Sequence, residues 1–183
     1  MKLVILEGPV DLQFFKWFVL KQLNGQDIFK KILKENKELI SMFKNLLGKN
    51  PEMARVDFLS LSDEVLVLLS VGGKDNFEKV AEGIRGLVDA LSKREQNIRS
   101  IVFVGDKDAE HNILKAKNIA EENLSKIKMK INVCSIICND YLEDVVLELV
   151  ESIKTFAEKA HIQKDLKVLE NLLKNCRGNV LGR

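Results

Sequence analysis

Two short stretches of this chain hold the residues best suited to chemistry. Glu7-Gly8-Pro9-Val10-Asp11 follows the apolar run Leu3–Leu6, and Asp106-Lys107-Asp108 follows the apolar run Ile101–Val104. Short, continuously apolar runs read as strands buried on both faces, the signature of a parallel sheet. In an open α/β sheet, ligands bind beyond the carboxyl ends of the strands. Acids placed just past two strand ends can therefore meet at one point. Clustered carboxylates repel one another unless a proton or a cation intervenes, which makes a divalent metal site the natural chemistry. Each acid also has a structural reading of its own. Gly8 permits a tight exit from the strand, Pro9 suits the first turn of a helix, and Asp11 within that turn complements the helix dipole. Aspartate is common in turns after strands, which covers Asp106 and Asp108 singly. It is the combination that points to a centre formed by Glu7, Asp106 and Asp108. Magnesium takes few carboxylates, keeps several waters and accepts phosphate oxygens, an arrangement suited to phosphodiester chemistry.

Other residues are candidates for supporting parts. Lys74 follows Gly72-Gly73 at another strand end and precedes a helix. Backbone amides there suit a phosphate or a phosphate-bearing cofactor, with Lys74 as counter-charge; the alternative is a solvated turn lysine. The spacing is not that of a Walker loop. His111 is close enough to the acids in sequence to assist proton transfer, though a supporting or solvent-exposed histidine is the stronger reading. Lys115, Lys117, Lys126, Lys128 and Lys130 bias one helix toward positive charge. Without interleaved aromatics this reads as a solvated face before it reads as a phosphate track.

The elements that must position these residues alternate along the chain. Strands are expected at Lys2–Leu6, Val65–Val71, Ile98–Val104 and Ile131–Ile137. Helices are expected at Val10–Leu23, Asn76–Leu91, Asn112–Ile127, Leu142–Ala160 and Gln163–Asn175. The βα alternation predicts an α/β domain, a mainly parallel four-stranded sheet with helices on both faces. Residues 24–63 interrupt it as an insertion after the first βα unit. This insertion is mostly helical (Ile28–Leu47), broken at Gly48-Lys49-Asn50-Pro51, with Val56–Leu61 as an extra strand antiparallel to Val65–Val71. The domain is expected to span residues 1–160, with a C-terminal helix and tail over 161–183. The first helix carries Phe14, Phe15, Trp17 and Phe18 beyond one narrow stripe. It is therefore expected to be covered on two sides, by the insertion or by a second copy in a homodimer.

The bulk composition narrows the classes. At 183 residues with 46% hydrophobic and 31% charged residues, the chain can bury a core and keep a soluble surface. A net charge of +2 gives no global pull toward nucleic acid, so any phosphate-binding surface must be local. Cys134, Cys138 and Cys176 form neither a zinc pattern nor a disulfide framework, which suits a reducing cytoplasm. Nothing at the N-terminus reads as a signal peptide, and no apolar stretch reaches the roughly 20 residues needed to cross a bilayer.

Strand–Glu7-Gly8-x-x-Asp11–helix followed by strand–Asp106-x-Asp108–helix resembles the Toprim domain. That domain is shared by topoisomerases, bacterial-type primases, ribosomal RNA maturases, recombination mediators and the overcoming-lysogenization-defect nucleases. The Gly72-Gly73 turn and Tyr141-Leu142-Glu143-Asp144 are similar to parts of small stand-alone prokaryotic members. The resemblance covers residues 1–153 apart from the insertion. It implies a Rossmann-like Toprim fold, Glu7 as general acid or base with Asp11 in support, and a magnesium or manganese ion held by Asp106 and Asp108 with Glu7. Glu143 or Asp144 would be a further ligand. It implies DNA or RNA as partner and a nuclease as the activity, since primases and topoisomerases need further domains. Ala109-Glu110-His111 stands where many members place a glycine. That departure keeps open an alternative, a catalytically inactive module that binds nucleic acid or protein.

Overall fold

The computed structural model describes residues 1–47, 55–62, 64–127 and 129–138. The chain opens with β1 (Lys2–Leu6) and α1 (Pro9–Gln22), then β2 (Gln26–Asp27), α2 (Phe29–Glu35), α3 (Lys37–Leu46) and β3 (Arg55–Leu61). It continues with β4 (Glu64–Ser70), α4 (Phe77–Ser92), β5 (Ser100–Asp106), α5 (Glu110–Ser125) and β6 (Asn132–Cys138). Short 3-10 turns, Lys74–Asn76 and Lys107–Ala109, lead into α4 and α5. Residues Met1–Ile137 form a compact unit of their own. The expected helices Leu142–Ala160 and Gln163–Asn175, and the expected boundary at residue 160, lie outside the described residues.

The architecture is α/β, and the sheet is larger than the expected four strands. Among the described residues it has six, in the order β2-β3-β4-β1-β5-β6. It is mixed: β1 pairs in parallel with both β4 and β5, whereas β3–β4 and β2–β3 are antiparallel. The insertion accounts for the difference. Its strand β3 hydrogen-bonds to β4 as the hairpin reading expects, with Val56 opposite Leu69 and Phe58 opposite Val67. The two-residue strand β2 is too short to leave a periodic pattern, and it extends that edge. The insertion is thus as much sheet as helix. Its expected single helical stretch is two helices, because Asn36 turns out of α2 and accepts a hydrogen bond from Leu39 N (3.1 Å) as the N-cap of α3.

Alternation along the strands sorts their side chains onto two faces. Leu3, Ile5, Val67, Leu69, Ile101 and Phe103 join Phe43 of α3, Phe77 and Ile84 of α4 and Ile113 of α5 in the main core, which α2 also caps through Phe29 and Ile32. Val4, Leu6, Leu68 and Val104 are buried outside that cluster, as are Leu12 and Val19 of α1. Helix α1 therefore covers the opposite face, packing on β1, β3 and β4. It stops at Asn24, whose φ is +54°, and at Gly25, whose amide bonds to Val19 O (2.9 Å). A Cβ on Gly25 would stand 2.6 Å from Val19 Cγ1 and 3.2 Å from Ser60 O, so the close approach of this turn to β3 requires glycine. Among the described residues no helix is long and apolar enough to cross a membrane.

Candidate functional site

The strand order locates a crevice. From β1 the chain moves toward the β4 side of the sheet, and from β5 it moves to β6 on the other side. Neighbouring strands whose connections diverge in this way leave a cleft between their carboxyl ends, the place where open α/β sheets bind ligands. Here the two strands are β1 and β5. Glu7 is the first residue past β1, and Asp106 is the last residue of β5.

Each acid is set by local structure. Val71 N donates to Leu6 O and Gly73 N to Glu7 O (both 2.9 Å), so the ladder between β1 and β4 runs on past the formal strand ends and holds the Glu7 backbone. Gly105 leaves room beside it: a Cβ there would lie 3.7 Å from Glu7 Oε2 and 2.9 Å from Ile113 Cδ1. Asp11 is the third residue of α1, and its Oδ2 accepts from Gly8 N (2.7 Å), closing the first turn onto the residue after Glu7. Asp108 sits in the turn between β5 and α5. Lys74 reaches across from the β4 side, with Nζ 3.0 Å from Asp108 Oδ2. The turn that carries it has Gly72 and Gly73 at φ +75° and +124°, and Asn76 Nδ2 donates to Val71 O (3.1 Å) to brace it. Asn112 of α5 also reaches Asp75 in this turn (3.4 Å).

The electrostatics join these groups into one cluster. Burial raises the pKa of Glu7 above its ordinary value, the negative charges of Asp108, Asp11 and Asp106 raise it further, and Lys74 opposes them. Lys74 itself is held more firmly protonated, first by its hydrogen bond to Asp108 and then by that carboxylate's charge. The sequence-derived candidates Glu7, Asp11, Asp106, Asp108 and Lys74 thus share one end of the sheet. Glu143, with Asp144, lies outside the described residues. His111 is exposed at the start of α5. Among the described residues no three acidic, histidine or cysteine side chains stand close enough to hold a metal ion as they are.

Some expectations elsewhere in the chain are settled by contacts. On α5, Lys115 pairs with Glu78 (2.7 Å), Lys117 with Glu121 (2.8 Å) and Lys126 with Glu122 (3.5 Å), so much of its positive charge is met within the protein. Phe14, Phe15, Trp17 and Phe18 are half-buried, the rings of Phe14 and Trp17 6.2 Å apart, on a helix that packs against β3 of the insertion. Sequence reasoning missed Lys16, which binds Asp27 (2.7 Å) and Asp57 (3.1 Å). Its one sequence signal is a lone cation among the aromatics of α1. A groove of about 450 Å³ between α3 and α4, lined by residues that include Met42, Leu46, Val80 and Leu87, contains no acid and is separate chemistry. No family model matches this chain, and no curated protein or solved structure matches it.

Proposed function

We propose that this chain carries out magnesium- or manganese-dependent phosphodiester chemistry on nucleic acid, as a nuclease built on a Toprim-like domain. The observation that supports this reading most is the delivery of Glu7 by β1 and of Asp106 and Asp108 by β5 to the diverging point of the sheet, where their charges act on one another. The donor set is all carboxylate oxygen, the chemistry of a hard divalent cation, and the Lys74 ammonium already stands beside Asp108 as a monovalent cation does. No three acidic, histidine or cysteine side chains stand together among the described residues, so a cation here would have to complete its shell with water or phosphate oxygens. Asp106 and Asp108 would hold it, with Glu7 beside them. When bound, it would neutralise phosphate oxygens during an in-line displacement. Glu7, with its raised proton affinity, is suited to give or take a proton nearer neutral pH than an ordinary glutamate. Lys74 would supply a counter-charge to a substrate phosphate.

The test combines binding with cleavage. Magnesium and manganese are titrated calorimetrically into the wild type and into Asp106→Asn/Asp108→Asn, and single- and double-stranded DNA and RNA are offered to the wild type and to Glu7→Gln. The expected results are binding lost in the aspartate variant and cleavage reduced about 10²-fold or more in Glu7→Gln. Equal cleavage by wild type and variant marks a contaminant and ends the nuclease reading. A second reading, an inactive module that binds nucleic acid or a protein partner, is favoured by one observation: Lys74 already partners Asp108. Oligonucleotide binding that is indifferent to divalent cations, with no cleavage, would select it. A mass that rises with concentration in light scattering would select self-association.

A further inference from the structure

We propose that the groove between α3 and α4 binds an anionic amphiphile, an aliphatic chain with a carboxylate head, and that Lys79 receives the head. This site is separate from the acid cluster and independent of the reading above. Its volume of about 450 Å³ falls within the usual range for ligand pockets. Its lining on α4 runs from Asn76 to Ala90, about 21 Å along the helix. The two walls are antiparallel: Arg94, just past α4, pairs with Glu38 at the start of α3, whereas Leu46 at the end of α3 meets Gly83. The ends of the groove therefore differ in chemistry. Met42, Leu87 and Ala90 belong to the apolar end, and Asn76 and Lys79 to the polar one. No acid lines the groove among the described residues. Arg94 is answered by Glu38, but Lys79 has no such partner. Its Nζ lies 3.1 Å from the neutral Asn76 Oδ1, and it makes no ion pair among the described residues. A lysine stem lies along apolar surface while its ammonium stays at the rim, where an anionic head would meet it. Gly86 supplies an independent sign of an occupant. Gly83 has a packing reason, since a Cβ there would stand 2.6 Å from Leu46 Cδ1; at Gly86 a Cβ would meet nothing within 4 Å. Glycine inside a 16-residue helix is less stable than alanine, and no contact within the protein requires it at this position. A chain lying against the α4 backbone does. One unanswered cation at one end matches a single head group, not the charges spread along a docked helix.

The test is calorimetric titration of decanoate, below its micelle concentration, into the full-length wild type, Lys79→Met, Gly86→Leu and Gly86→Ala. Decanol serves as the chain without the charge, and circular dichroism checks folding. The wild type is expected to bind decanoate more tightly than decanol. Lys79→Met is expected to weaken decanoate about two- to fivefold, the range that an exposed ion pair is worth, and to leave decanol unchanged. Gly86→Leu fills the groove and is expected to weaken both ligands about tenfold or more. Gly86→Ala is expected to weaken both to a smaller degree, and it keeps the claim testable if the leucine variant does not fold. No decanoate binding by the wild type, or binding that survives the Gly86 substitutions unchanged, overturns the site. Decanoate affinity unchanged in Lys79→Met overturns the placing of the head. A mass that rises with concentration in the wild type but not in Gly86→Leu overturns the proposal as well, because a second copy of the chain then fills the groove.

Discussion

Glu7 is where the chemistry of single residues becomes measurable. Its folded-state pKa lies above the ordinary 4.5, through burial first and then through the charges of Asp108, Asp11 and Asp106. Between those two values the native protein keeps a proton that the unfolded chain has released. Stability therefore falls as pH rises through that interval, and the cost of an ionised Glu7 is present in full above the folded value and absent below the unfolded one. Glu7→Gln removes the ionisable group and keeps its shape. It is expected to raise the melting temperature near pH 7 and to lose that gain at about pH 4. Thermal unfolding at both pH values checks this, and a variant no more stable than the wild type near pH 7 contradicts it. The same substitution removes the proposed acid–base group.

Among the elements, the first turn of α1 decides how the Glu7 strand end is held. Glycine has no side chain to cap a helix, and at Gly8 the capping runs in one direction, from the Gly8 amide to Asp11 (2.7 Å). Asp11→Ala is expected to cost about 0.5–1 kcal/mol in chemical denaturation, the scale of a capping interaction. It also removes one of the negative charges that raise the Glu7 pKa, so Glu7 should titrate lower in the variant, as carboxyl-carbon NMR would show. An unchanged Glu7 titration would mean that Asp11 serves the helix alone. The structural and functional readings of this aspartate thus coexist: the cap fixes the side chain, and its fixed charge acts on the neighbouring acid.

Across the whole Met1–Ile137 unit, Lys16 ties the first βα unit to the insertion. From α1 it binds Asp27 on β2 and Asp57 on β3. Burial pulls the Lys16 pKa down, but the hydrogen bonds to Asp27 and Asp57 and their charges outweigh it, so the net shift is upward. Burial likewise pushes Asp27 up, and its hydrogen bonds to Lys16 and Phe29 N, with the lysine charge, bring it below the ordinary value. The Lys16 contribution to stability is present below pH 10.5 and is lost as pH rises through the raised folded value. The Asp27 contribution is present above pH 3.8 and is lost as pH falls through the depressed one. Lys16→Met is expected to cost roughly 1–3 kcal/mol across the plateau between, because it leaves two carboxylates facing each other without their donor. Denaturation curves at neutral pH, compared with curves at successively lower pH below 3.8, check both the cost and its decline in acid.

What the sequence by itself determined is local. Apolar runs of strand length, helical spacing of Phe77, Val80, Ile84, Leu87 and Leu91, and turn residues such as Asn24-Gly25 and Gly72-Gly73 are set by neighbours within a few positions. They marked β1, β4, β5, β6, α1, α4 and α5 to within a residue or two at most ends. The Val56–Leu61 strand was legible for the same reason, as a short, largely apolar run ahead of Val65–Val71. The split of the insertion helix at Asn36 was not, because apolar residues at helical spacing continue on both sides and only a side-chain cap marks the break. Strand β2 was hidden by its length. Tertiary structure alone decided which residues far apart in the chain meet: β5 beside β1, with Leu6 opposite Val104, which brings Asp106 to the same end of the sheet as Glu7; Lys74 on Asp108, 34 residues away; and Lys16 on Asp57, 41 residues away. Pairing of that kind depends on strand order and on which face each helix covers, and neither is encoded in any short window of residues. The acids could be picked out one by one from their places after strands. Their mutual charge, and the lysine that answers it, exist only once the sheet has formed.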